Sequence, residues 1–268
     1  MLFVLVAIFL KVAGATEAQD LVTALQRQNF QCENSHCRGN ISSYSLPINI
    51  FVPPQFQRRA PVLLAYHLHG WWQNLETTPF DGPEGDFLRF ATESRRNVLI
   101  LVPESHGKNE TYANELDTPE QMILFFAQVE RVLNRAGVVV DVTTPRTLSG
   151  HSGAYVQMGK MGDWARSGAV PVLRALRGFA LLDSAYSYRD GLTNVMEAMC
   201  LRSRPVYLLA FNPTDGQAQK RDTNNRIARE ITNDFSCGQR VFHYPNSTAD
   251  HGAFPRLYLA AFLNEAAK

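Results

Sequence analysis

Four places in the chain hold residue types that can do chemistry together. Ser152 stands in Gly150-His151-Ser152-Gly153-Ala154, His251 in Asp250-His251-Gly252 close to the C-terminal end, and two aspartates, Asp183 and Asp215, lie between them. A serine hydroxyl is a weak nucleophile until a base takes its proton, and an imidazole serves as that base when a carboxylate fixes its tautomer. The chemistry in view is acyl transfer to water through a covalent intermediate. Each residue also has a plainer reading: Ser152 in a glycine-rich connecting turn, His251 as a surface or capping residue, and either aspartate as a turn residue capping the helix that follows.

The elements around these residues can be read from hydropathy. Apolar runs over Pro47–Val52, Val62–His67, Val98–Val102, Thr147–Gly150, Gly178–Leu182, Val206–Phe211 and Val241–Tyr244 have the length and composition of strands. Helical periodicity fills the gaps near Phe87–Arg95, Pro119–Ala136, Gly153–Asp163, Gly191–Met199, Asn224–Asp234 and Ala253–Ala267, with Thr118 as cap and Pro119 in the first turn of the second of these. Strands alternating with helices imply an α/β fold, a mostly parallel central sheet between two helical layers. Such sheets bind ligands beyond the carboxyl ends of their strands. Ser152, Asp183, Asp215 and His69-Gly70-Trp71-Trp72 all fall where a predicted strand stops. Small residues on both sides of Ser152 suit a strained turn in which strand and helix backbones approach closely.

On these residues the chain resembles the α/β-hydrolase superfamily, and the resemblance covers most of residues 44–268. It implies that Gly150-His151-Ser152-Gly153-Ala154 is a nucleophile elbow, with Ala154 in place of the second glycine of the pattern. It implies Ser152 as nucleophile, with the amide of Gly153 as one oxyanion donor. His69-Gly70-Trp71 matches the strand end whose next amide is the other donor. The order Ser, acid, His places His251 as base. The acid stays open between Asp215, which matches the commoner position, and Asp183, which matches an arrangement one strand earlier and is preferred. The implied enzyme is a serine esterase, with an amidase or peptidase acting on cell-envelope or extracellular material as alternative. A non-catalytic binding module of the same fold is the third reading.

Composition limits the partners. The 268 residues carry 26 Lys and Arg against 25 Asp and Glu, so no excess of positive charge is present for binding nucleic acid. Met1–Leu10 is continuously apolar and Ala13-Gly14-Ala15 follows, which predicts a signal peptide over residues 1–15 and a secreted or periplasmic protein with no membrane span after cleavage. Four cysteines suit an oxidising compartment, and the expected pairs are Cys32 with Cys37, inside an N-terminal segment 16–43, and Cys200 with Cys237. A metal site on Cys32, His36 and Cys37, or on His67 and His69, lacks further ligands at suitable spacing. No metal or cofactor is expected, and the substrate is a small-molecule or polymer-borne ester or amide. The oligomeric state is not readable from these features. Trp71–Glu84 is expected to wall the substrate pocket, and Glu104 and His106, in the polar stretch Pro103–Thr118, are either substrate contacts or part of a solvated loop.

Overall fold

A computed structural model of the chain describes residues 17–70, 86–105, 112, 115–184, 188–200, 206–210, 240–244 and 251–268. All seven predicted strands are present, and two more precede them. In chain order they are β1 (Gln31–Glu33), β2 (His36–Ile41), β3 (Tyr44–Phe51), β4 (Leu63–Leu68), β5 (Val98–Pro103), β6 (Arg146–His151), β7 (Leu176–Leu182), β8 (Val206–Ala210) and β9 (Arg240–Tyr244). They form one sheet in the order β1-β2-β3-β5-β4-β6-β7-β8-β9. The pairs β1–β2, β2–β3 and β3–β5 are antiparallel, and every pair from β5 through β9 is parallel. The described helices are α1 (17–26), α2 (Phe87–Glu93), α3 (Pro119–Arg135), α4 (Tyr155–Ser167), α5 (Arg189–Cys200) and α6 (Phe254–Ala266). The helix expected near Asn224–Asp234 lies outside the described residues.

Alternation along the strands builds a core on each face of the sheet. On β4, Leu64, Tyr66 and Leu68 face the cluster that holds α1, α3, α4 and α5, while Leu63 and Ala65 face the one that holds α2 and α6. Leu99 and Leu101 of β5 separate from Val98, Ile100 and Val102 in the same way, as do Phe179 and Leu181 of β7 from Ala180 and Leu182. The result is the three-layer α/β sandwich that buried parallel strands require. Local signals agree with it. Thr118 Oγ1 accepts from Gln121 N at 3.2 Å, Gln121 Oε1 accepts from Thr118 N at 3.0 Å, and Pro119 opens α3. Gly168, at φ 78°, ends α4 in the left-handed conformation.

Chain order fixes where a crevice opens. From β4 the chain crosses through α2 to β5 on one side, then through α3 back past β4 to β6 on the other. Connections leaving in opposite directions make a topological switch point at the carboxyl ends of β4 and β6, which are Leu68 and His151.

Candidate active site

Ser152 follows β6 at the switch point. Its φ is 50°, in the left-handed region that a residue with a Cβ enters only at a cost of about 1–3 kcal/mol. The cost is met by packing on both sides of the turn. His151 is still extended (φ −115°, ψ 142°), a short 3₁₀ turn Ser152–Ala154 follows, and α4 begins at Tyr155. At Gly150 any Cβ would enter the Met158 side chain and lie 3.1 Å from the Cβ of Ala154. Gly150 is therefore needed on steric grounds, and Ala154, almost wholly buried, stands where the pattern has its second glycine. Ser184 Oγ donates to the Ser152 carbonyl at 2.9 Å and ties the turn to the end of β7.

Gly70 lies across the crevice from Ser152. A Cβ there would be 2.7 Å from Ser152 Cβ and 3.3 Å from the His151 carbonyl oxygen, so the turn after β4 rests directly on the turn after β6. The two histidines of β4 and its extension have different environments. His67 pairs in register with Ser149, shares a 2.8 Å hydrogen bond between Nδ1 and Ser149 Oγ, and packs on Phe87 with ring centroids 5.0 Å apart. His69 Nδ1 donates to the Gly70 carbonyl at 2.9 Å, and its ring meets Tyr112 edge-on at 5.5 Å.

Asp183 immediately follows β7, at φ 46° and 1% exposed. Because His151 and Leu182 are register partners, Ser152 and Asp183 are consecutive residues at the ends of neighbouring parallel strands. Two non-glycine residues in the left-handed region side by side mark the edge of the sheet where strain is concentrated. His251 opens a 3₁₀ turn (His251–Ala253) between β9 and α6, in the loop that follows the last strand. The structure thus places Ser152, Gly153, Gly70 and Asp183 at one sheet edge, with His251 in the loop after β9. Trp71, Asp215, Asp250 and His106 lie outside the described residues.

One expectation changes. Glu104 neither lines a solvated loop nor faces an open crevice: it is 4% exposed and held by a two-pronged ion pair from Arg38, with Nε to Oε1 at 2.6 Å and Nη2 to Oε2 at 2.8 Å. Asn49 Nδ2 donates to Oε1 as well, at 3.0 Å. A carboxylate this buried and this fully paired is a structural anchor for the end of β5. Sequence reasoning missed this role because the partners come from β2 and β3, some 55 to 66 residues upstream. It also missed Ser184 and Tyr112. Ser184 sits one residue past a candidate acid, which was a usable signal; Tyr112 stands in a polar stretch with none.

No protein-family model matches the chain, and no curated protein does. Solved structures match along most of its length. The BES protein from Bacillus cereus superposes with a TM-score of 0.59 at 11% identity, over 89% of this chain and 98% of its own. The chain has the α/β-hydrolase fold. An S-formylglutathione hydrolase from Agrobacterium tumefaciens aligns over 88% of this chain and 94% of its own, with TM-score 0.52 and 12% identity. A feruloyl esterase module from Clostridium thermocellum aligns over 88% of each chain, with TM-score 0.51 and 13% identity.

Proposed function

We propose that this chain is an exported serine esterase. The observation that carries the reading is Ser152, held at φ 50° beyond β6 at the switch point and packed against the Gly70 turn. Ser152 Oγ attacks the ester carbonyl while His251 takes its proton. The tetrahedral oxyanion is held by the amides of Gly153 and Trp71, the alcohol leaves with a proton returned by His251, and water then hydrolyses the acyl-enzyme with His251 again as base. Asp183 is the proposed acid that holds the imidazole tautomer, supported by its burial and its place beside Ser152; Asp215 is the alternative. The names of two structural neighbours, an arylesterase and a feruloyl esterase module, favour esters over amides.

Export is proposed from the apolar N-terminus together with the Cys32–Cys37 disulfide, a bond that persists in oxidising compartments. A fluorophosphonate probe tests the chemistry: the wild type should be labelled at Ser152 and Ser152→Ala should not. A binding module of this fold leaves Ser152 unlabelled. Aryl acetates, feruloyl esters and S-formylglutathione, offered alongside amides of matching acyl groups, then sort the substrate class.

A further inference from the structure

The parallel ladder between β4 and β5 ends early. Its last register pair is Tyr66 with Leu101, although β4 runs on to Leu68 and β5 to Pro103. Beyond that pair the two strands follow different neighbours. β4 stays with β6 as far as Leu68 opposite Gly150, and β5 stays with β3 as far as Pro103 opposite Ile48. A split opens between them, and its backbone groups must be satisfied because the region is buried.

One phenol fills the split. The His69 amide donates to Tyr112 Oη at 2.8 Å, and Tyr112 Oη donates to the Pro103 carbonyl at 3.2 Å. Tyr112 is 1% exposed and His69 2%. The hydroxyl therefore takes the place of a missing rung, long enough to keep β4 away from β5 while satisfying both groups. The residue after His69 is Gly70, seated on Ser152.

We propose that Tyr112 is a positioning residue for the oxyanion site: by bridging His69 N and Pro103 O it holds the His69-Gly70 turn against the Ser152 turn, and with it the neighbouring Gly153 amide proposed as an oxyanion donor. The inference rests on the serine-esterase reading for its catalytic part and on the hydrogen-bond geometry alone for its positional part. Without the hydroxyl, β4 either closes toward β5 or leaves the His69 amide unsatisfied, and both outcomes loosen the contact between Gly70 and the Ser152 turn. A displacement of an oxyanion donor by about 1 Å costs up to about 100-fold in rate.

The test compares Tyr112→Phe with Tyr44→Phe. Tyr44 also donates a buried phenol hydrogen bond near the end of β5, to the Glu104 carbonyl, but does not reach His69. Tyr112→Phe should lower kcat for p-nitrophenyl acetate by about 10- to 100-fold with KM within about twofold, and should weaken inhibition by phenylboronic acid, whose tetrahedral adduct needs the same donors, by a similar factor. Tyr44→Phe should leave kcat and boronate inhibition within about twofold. Amide exchange in the peptide over His67–Gly70 should quicken at least about tenfold in Tyr112→Phe alone. Equal kcat in the two variants, or a change in KM only, overturns the catalytic part, and unchanged exchange overturns the positional part. A wild type that neither turns over the ester nor labels at Ser152 overturns the esterase reading instead, and the exchange measurement still decides what Tyr112 holds.

Discussion

The proposed chemistry rests on a few residues, two of which, Ser152 and Asp183, are held at positive φ. Ser152→Ala should abolish ester hydrolysis by several orders of magnitude with an unchanged melting temperature, because alanine occupies the space of the serine without its hydroxyl; turnover of an aryl ester measures it. The two candidate acids give opposite outcomes. Asp183→Asn should lower kcat by up to ~10⁴-fold with little change in stability, since an amide in place of the carboxylate favours the wrong imidazole tautomer, while Asp215→Asn should be mild. The reverse pattern moves the acid one strand later, and two mild variants sink the triad. Gly70→Ala tests the contact between the two turns. Its Cβ would sit 2.7 Å from Ser152 Cβ and 3.3 Å from backbone at His151, so neither neighbour yields cheaply. The variant should lose about 1–3 kcal/mol of stability and at least about tenfold in kcat, readable by denaturant melting and ester turnover.

The least expected element is the antiparallel β1–β2–β3 extension, and the polar network within it makes stability depend on pH. His36 stacks on Phe51 with centroids 4.6 Å apart and planes 6° from parallel, and its Nε2 donates to Asn49 Oδ1 at 2.7 Å. Burial lowers its pKa from 6.5; the Asn49 bond and the Glu104 and Glu33 charges oppose that shift, and Arg38 adds to it. A histidine harder to protonate in the folded chain than in the unfolded one leaves the unfolded state binding more protons at low pH. Its stabilising contribution is therefore complete above pH 6.5 and is lost as pH falls from there toward the lower folded value. His36→Gln should flatten the decline in unfolding free energy between pH 7.5 and 5, measured by urea titration. Pro47 explains why sequence reading started β3 too late. Proline usually breaks a ladder, but here its partner is Asn40, beside the irregularity between Asn40 and Ile41, and the strand runs through it from Tyr44.

At the scale of the molecule, the N-terminal helix α1 is part of the same core as the strands that carry the candidate site. Ala18, Leu21, Val22 and Leu25 of α1 and Cys37 of β2 belong to the buried cluster that also holds Tyr66, Leu148 and Phe179. Leu21→Ala should therefore destabilise the whole chain by about 2–5 kcal/mol in one cooperative transition, seen as a single shifted melting curve. An early separate transition would instead mark the segment as an independent unit. The second cysteine pair is the other test at this scale. Cys237 and the side chain of Cys200 lie outside the described residues, and non-reducing peptide mapping should find the two joined. That link closes a longer loop than Cys32–Cys37, which spans only 5 residues, and it should contribute on the order of 3–4 kcal/mol in the chain-entropy model.

Hydropathy period and turn chemistry are local properties, so the sequence by itself determined the seven main strands, the Thr118-Pro119 helix start and the strained Ser152 turn, where Gly150 leaves room for Ala154 and Met158 a few residues on. Cys32 and Cys37, close along the chain, were legible as a pair for the same reason. What joins distant segments was decided only by tertiary structure. The short strands β1 and β2 are too brief and too mixed in polarity to stand out, and they exist because β3 offers an edge to pair with. The burial of Glu104 depends on Arg38 and Asn49 arriving from that added edge. Tyr112 has no periodic neighbours at all; it matters because β4 and β5 part after Tyr66 and Leu101, leaving an amide and a carbonyl at a separation that a phenol hydroxyl can bridge. A strand split is a property of three paired neighbours at once, and no window of sequence contains it.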